Sequence, residues 1–139
     1  MPRKVRCPVA TSLDLVGDRW TLQVVRDLLR GHARFSQLAQ SVEGIPASVL
    51  SDRLKSLEAA GVVSRRFYSD HPPRAEYVLT PKGHALGVVV GALASWGERY
   101  GEHDLSLVDN ECGHGLEVQY HCPTCQRSAP RSRARMIGT

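Results

Sequence analysis

The residues of this chain best equipped for chemistry are its four cysteines, which divide into three and one. In the segment ECGHGLEVQYHCPTCQRS, Cys112 and His114 precede Cys122 and Cys125 by about ten residues. Two residues between cysteines is the spacing of a metal knuckle, and three thiolates with one imidazole complete a tetrahedral, closed zinc site of the structural kind. His114 or His121 is the fourth ligand on this reading, with residues 116–120 as a strand between the halves. The alternatives are a redox-active Cys-x-x-Cys pair and a reduced extension that holds no metal. Cys7 stands apart, close to Arg3, Lys4 and Arg6 and just before the first helix. Positive charge and a helix N-terminus both favour the nucleophilic thiolate, which makes Cys7 a candidate sensor thiol; the bland alternative is a small packing residue.

A second chemistry is the recognition of a polyanion. Residues 45–79, IPASVLSDRLKSLEAAGVVSRRFYSDHPPRAEYVL, read as an amphipathic helix running straight into a basic hairpin. Leu50, Leu54 and Leu57 recur at i, i+4 and i+7, so they share one helical face and belong to a core. Ser48, Ser51, Asp52, Lys55 and Glu58 fall on the other face, and Gly61 supplies a left-handed stop, so the helix spans residues 47–60. VVSRRFY and AEYVL then have strand composition, while the two prolines of SDHPPR cannot continue a ladder, so the turn lies at residues 70–73. Arg65, Arg66, His71 and Arg74 cluster on this hairpin and offer donors to an anionic partner.

The elements that must position these groups are readable along the chain. Val9, Leu13 and Val16 have helical spacing before Gly17, and two interleaved apolar sets from Trp20 to Leu29 mark a helix buried on more than one side. Residues 33–35 are expected as a short strand pairing with the hairpin. Ser36 caps a brief helix through Val42, and a tight turn with Gly44 leads to the amphipathic helix, which gives a helix-turn-helix. Thr80 and Pro81 open a further helix in which Leu86, Val89, Leu93, Trp96 and Tyr100 follow at alternating spacings of three and four, a seam suited to a partner helix and a dimer interface. The alternative is packing on the chain's own core.

Composition sets the bounds. With 139 residues, 42% of them hydrophobic and 6% aromatic, the chain has one ordinary core and appendages. No apolar run approaches the roughly 20 residues that span a bilayer, and the N-terminal residues lack the apolar stretch of a secretory signal, so a cytoplasmic location and no membrane partner are expected. The formal net charge of +4 leans towards a polyanion. No nucleophile–base pair, phosphate loop or open metal site points to an enzyme.

Taken in order, CPV at 7–9, GDRW at 17–20, RFSQL at 34–38, VLSDRLKSLEAAGVVSRR at 49–66, PPRAEYVLTPKG at 72–83 and the later LASWGERY resemble the HxlR-type transcription regulators, relatives of the MarR winged-helix group. The resemblance covers residues 7–100. It implies a mainly α fold with a small β-hairpin, a winged helix-turn-helix dimerising through its terminal helices, with residues 47–60 as recognition helix and 62–79 as wing. Members often begin the recognition helix with serine or threonine, whereas this chain has Pro46. Some members use a cysteine at the position of Cys7 to sense oxidants or electrophiles.

The expected organisation is a winged-helix domain at 1–101, a Cys/His-rich extension at 102–127 and a basic disordered tail at 128–139. The expected function is a sequence-specific regulator of transcription, read as a repressor, that binds double-stranded DNA as a homodimer and answers a small-molecule or thiol-reactive signal. An adaptor that uses the same fold to bind protein without reading DNA is the competing reading. Ser48, Ser51, Asp52 and Lys55 are expected towards the groove, where serine serves either base or phosphate, Lys55 reaches guanine acceptors or phosphate, and Asp52 tolerates only a cytosine donor or a cation. Arg53 would anchor to phosphate or to a core carboxylate, and Arg65, Arg66 and Arg74 to phosphates or the minor groove.

Overall fold

The computed structural model describes residues 6–70 and 73–138, in two compact units whose boundary falls between Val90 and Gly91. His71 of the expected site lies outside the described residues, as do Arg3 and Lys4.

The first unit holds four helices and a hairpin: α1 (Pro8–Val16), α2 (Thr21–Leu29), α3 (Phe35–Ser41), α4 (Ala47–Ala59), β1 (Val63–Asp70) and β2 (Pro73–Leu79), followed by the short α5 (Pro81–His84). Asp18 starts α2, because one carboxylate oxygen accepts the N–H groups of Trp20 and Thr21 at 2.9 and 3.1 Å. Burial pushes the Asp18 carboxyl up, but these bonds, the Thr21 hydroxyl and Arg53 outweigh it and hold it below the usual carboxylate range. Gly31 and Gly61 take the left-handed conformation, φ +95° and +73°, that stops α2 and α4.

The core gathers Val24, Val25 and Leu28 of α2, Leu38 of α3 and Leu50, Leu54 and Leu57 of α4. The three leucines of α4 are at most 1% exposed, and each such burial stabilises by about 1.5–3 kcal/mol. α4 begins at Ala47 with Pro46 as a cap that lends no side-chain oxygen, in agreement with the sequence.

β1 and β2 pair antiparallel from Val63↔Leu79 to Phe67↔Ala75, and a register shift between Phe67 and Ser69 bulges the strand. Residues 33–35 do not form the expected strand. They contribute one ladder bond, from Tyr77 N–H to the Ala33 carbonyl at 2.7 Å, before α3 begins. The start of α3 also differs. Its cap is Arg34 rather than Ser36, and the Gln37 side chain turns back to accept the Ala33 and Arg34 N–H groups at 3.1 and 3.0 Å.

The single helix expected after Thr80 is two. Thr80 caps α5 through its hydroxyl, then the Leu86 N–H bonds the Gly83 carbonyl, a tight turn that interrupts the helix before α6 (Gly87–Tyr100) resumes. This break directs Leu86 onto the core, with Val90, so Leu86 packs within its own chain and departs from the expected dimer seam.

α6 begins in the first unit and ends in the second. In the second, β3 (Tyr120–Cys122) pairs with β4 (Arg127–Ala129), and Val108 bridges Gly115. The expected strand at 116–120 is thus confined to its last residue. The tail expected to lack structure gives residues to β4 and to a 3-10 turn, Arg131–Arg133, because the Cys122–Cys125 turn folds the chain back into register. No helix among the described residues is long and apolar enough to cross a membrane.

Candidate nucleic-acid interface

Burying one face of α4 dictates what the other offers. Ser48, Asp52 and Lys55 are exposed and Ser51 half-buried on the side away from the leucines. Their side chains combine hydroxyl donors and acceptors with one cation and one anion, a set able to read base edges. Arg53 behaves differently. Its guanidinium lies 3.6 Å from Asp18 Oδ1, the carboxylate that caps α2, and its Nε is buried. Of its two expected anchors, Arg53 takes the carboxylate, and it ties α4 to the start of α2.

The wing arginines are also engaged. Arg65 Nε meets Glu58 Oε2 of α4 at 2.8 Å, and Arg66 meets Glu76 across the hairpin at 2.8 Å. Both remain substantially exposed, at 48% and 70%, so each keeps N–H donors facing solvent. Arg74 is exposed on β2, beside the bulge.

Arg74 borders an open cleft of about 380 Å³ together with Arg34, Phe35, Ser36, Tyr68 and Ala75. The Arg34 guanidinium lies over the Tyr68 ring, 4.8 Å from its centroid, an arrangement that orients the cation without neutralising it. Two guanidiniums and a serine hydroxyl lining one open cleft suit a phosphate oxygen. Arg34, Ser36 and Tyr68 join the site although no sequence pattern marks them as its members. Reading 33–35 as a strand hid Arg34, although an arginine immediately before a capped helix beside an aromatic wing is a usable signal.

The apolar seam residues Val89, Leu93, Trp96 and Tyr100 are all exposed, Trp96 at 66%. Trp96 and Tyr100 pack against each other with ring centroids 5.3 Å apart and planes tilted by 48°. On α1, Val9 and Leu13 are likewise more than half exposed, while Val16 faces inward.

Cys7 is the exposed N-cap of α1, its carbonyl accepting the Thr11 N–H at 3.0 Å. All four cysteines are free thiols. Cys122 and Cys125 share a turn in which the Cys125 N–H points at Cys122 Sγ at 3.5 Å, and bonds from the Cys125 and Thr124 amides pull the Cys122 thiol down. Among the described residues no three His, Cys, Asp or Glu side chains surround one point as a metal site. Cys112 and His114 are therefore not gathered with Cys122 and Cys125.

The profile of the HxlR-like helix-turn-helix family matches residues 15–105. The HTH-type transcriptional regulator Rv3095 of Mycobacterium tuberculosis, itself uncharacterized, is 37% identical over 121 residues, covering 84% of this chain and 76% of its own. Among solved structures, the candidate transcription factor PA1607 superposes with a TM-score of 0.79 at 31% identity, over 94% of both chains. The redox regulator HypR in its reduced form superposes with a TM-score of 0.63 at 33% identity, over 67% of this chain and 92% of its own. The winged helix, the exposed polar face of α4 and the profile spanning most of the chain agree: this chain belongs to the HxlR-like helix-turn-helix family of transcriptional regulators.

Proposed function

We propose that this regulator is a repressor that binds duplex DNA as a homodimer and releases it when a small molecule or thiol-reactive compound acts on the protein. The observation that carries the DNA reading is the face of α4. Ser48, Asp52 and Lys55 stand exposed opposite three fully buried leucines, with the arginine-lined cleft of Arg34 and Arg74 beside the wing. α4 enters the major groove and reads bases with its polar face. Arg34 and Arg74 hold a flanking phosphate, which fixes register and carries no sequence information.

Exposed apolar residues on α1 and α6 support the dimer, since Val9, Leu13, Leu93 and Trp96 in water are costly for a monomer. A symmetric dimer reads two half-sites in successive major grooves. Cys7 is the proposed sensor: it is exposed, and HypR, a relative in fold, is a redox regulator solved in reduced and oxidized forms. The protein acts in the cytoplasm, where its operator is.

Selection of bound sequences from a random duplex pool, repeated with an oxidant or an aldehyde, tests this reading. The expected result is a palindromic site bound at least ~1,000-fold more tightly than random duplex, with release on treatment. Binding that is weak, equal for all sequences and insensitive to salt would overturn it and favour the protein-adaptor role.

A further inference from the structure

The net positive charge of this chain is concentrated in one short stretch. Its 18 Lys and Arg exceed its 14 Asp and Glu by four, and Arg127, Arg131, Arg133 and Arg135 follow one another closely in the second unit. These four arginines equal the whole formal net charge of +4. No acid follows Glu117 and no lysine follows Lys82, so the stretch carries one sign and one cation type. A surface that serves only solubility mixes both signs.

The backbone of the stretch is satisfied and its guanidiniums are not neutralised. Arg127 stands opposite Cys122 in the β3–β4 ladder. In the 3-10 turn, the Arg133 and Ala134 N–H groups donate to the Pro130 and Arg131 carbonyls, each at 3.0 Å. All four arginine residues are exposed. The ion pairs among the described residues lie in the first unit, where Arg26, Arg30, Arg53, Arg65 and Arg66 each meet a carboxylate. In the second unit the carboxylates serve backbone instead: Glu98 accepts the Leu107 N–H, and Asp109 those of Glu111 and Cys112. Like charges held this close repel one another, and an external anion relieves that repulsion. The guanidinium fork matches phosphate oxygens two at a time. Residues 127 to 135 extend over at most about 26 Å of chain, so their four cations suit a line of phosphates better than a single anion.

We propose that Arg127, Arg131, Arg133 and Arg135 form a second contact to duplex DNA, an arginine strip that holds backbone phosphates without regard to sequence. This rests on the reading that the protein binds duplex DNA, and it separates two tasks. α4 discriminates among sequences, whereas the strip supplies affinity that all sequences share.

The test uses the full-length chain with Arg127, Arg131, Arg133 and Arg135 all changed to Gln, and a second variant with all four changed to Lys. Fluorescence anisotropy from 0.05 to 0.3 M salt follows binding to a selected duplex, a random duplex and a single-stranded RNA. The Gln variant should unfold at the parent's temperature, since the replaced side chains are exposed. Its salt slope should be shallower by about 2–4 on both duplexes, and its affinity at 0.1 M should fall roughly 100-fold or more on each. The ratio of selected to random binding should not change. The Lys variant, which keeps the charge, should retain the parent's slope. Ser48→Ala with Lys55→Ala should do the reverse, lowering the ratio while the strip's share of the slope remains. A parent that binds random duplex through the strip but prefers no sequence would uphold the strip and remove the reading role of α4. An unchanged slope in the Gln variant, a loss confined to single-stranded RNA, or a parent that binds neither duplex would overturn the proposal.

Discussion

Arg65 of the wing and Glu58 of the recognition helix face each other at 2.8 Å, one 48% and the other 38% exposed. A pair so exposed contributes only about 0–1 kcal/mol to stability. On the proposed DNA-binding mode its larger effect falls on DNA, because Glu58 engages a guanidinium proposed to meet a phosphate. Glu58→Gln should leave thermal unfolding almost unchanged, tighten binding to specific and random duplex alike, and steepen the salt dependence by roughly one phosphate contact. Fluorescence anisotropy at several salt concentrations measures both, and an unaltered slope would mean that Arg65 does not reach DNA.

Arg34→Ala and Arg74→Ala should each weaken binding to all sequences equally and flatten the salt slope by about one contact. If the two share one phosphate in the cleft, the double variant will lose less than the sum of the singles. Strict additivity would place them on separate phosphates.

Leu93→Glu and Trp96→Glu should convert the protein to a monomer in sedimentation velocity and abolish cooperative binding to paired half-sites. Helicity should be retained, since both side chains are exposed. Binding to an isolated half-site by α4 should survive. A dimer that persists in both variants would move the interface away from α6.

Cys7→Ser should bind DNA as the parent does and should no longer release it when an electrophile is added. Cys122→Ser and Cys125→Ser should still release it. Release in the Cys7 variant would transfer the sensing role to the other thiols.

Asp27 is fully buried between α2 and α3. Burial raises its pKa, but hydrogen bonds from Arg26 and Ser41 and the charges of Arg26 and Arg30 win, so it lies below the usual carboxylate value. A group depressed in the folded state lends stability above its unfolded pKa, about 3.9, and that stability is lost as pH falls through the folded value. Asp27→Asn should therefore cost about 1–3 kcal/mol at neutral pH, and the difference from the parent should shrink below about pH 4. Urea unfolding at the two pH values decides it; a difference independent of pH would sever the link.

The parts of this protein legible in sequence are those fixed by local periodicity. Leu50, Leu54, Leu57 and Gly61 sit within a few residues of one another and define α4 without outside help. The wing is equally local: two strand-forming runs flank the prolines, and the ladder reaches further than the expected turn at 70–73, since Asp70 pairs with Pro73, the first residue of β2, where a strand tolerates proline. Hidden were the relationships made across space: Arg53 with Asp18, Arg65 with Glu58, and Arg34 over Tyr68. The break before α6 was masked because the apolar spacing runs on through it, although Gly83 and Gly87 flank it. In the second unit, spacing picks out the Cys122–Cys125 turn, but nothing in the sequence marks Asp109 as the acceptor of the Glu111 and Cys112 N–H groups.

At the base of the wing, Thr80 and Lys82 donate to the carbonyls of Gly61 and Ala60, and Gly83 lies so close to the Val62 carbonyl that a Cβ there would stand 2.2 Å from its oxygen. These contacts join residues only 19 to 22 positions apart. The two ends of the hairpin are thereby fastened to each other where they leave the core. The wing is therefore aimed from its base, and a side chain introduced at Gly83 would have to displace the Val62 carbonyl and so turn the whole hairpin without touching any residue at its tip.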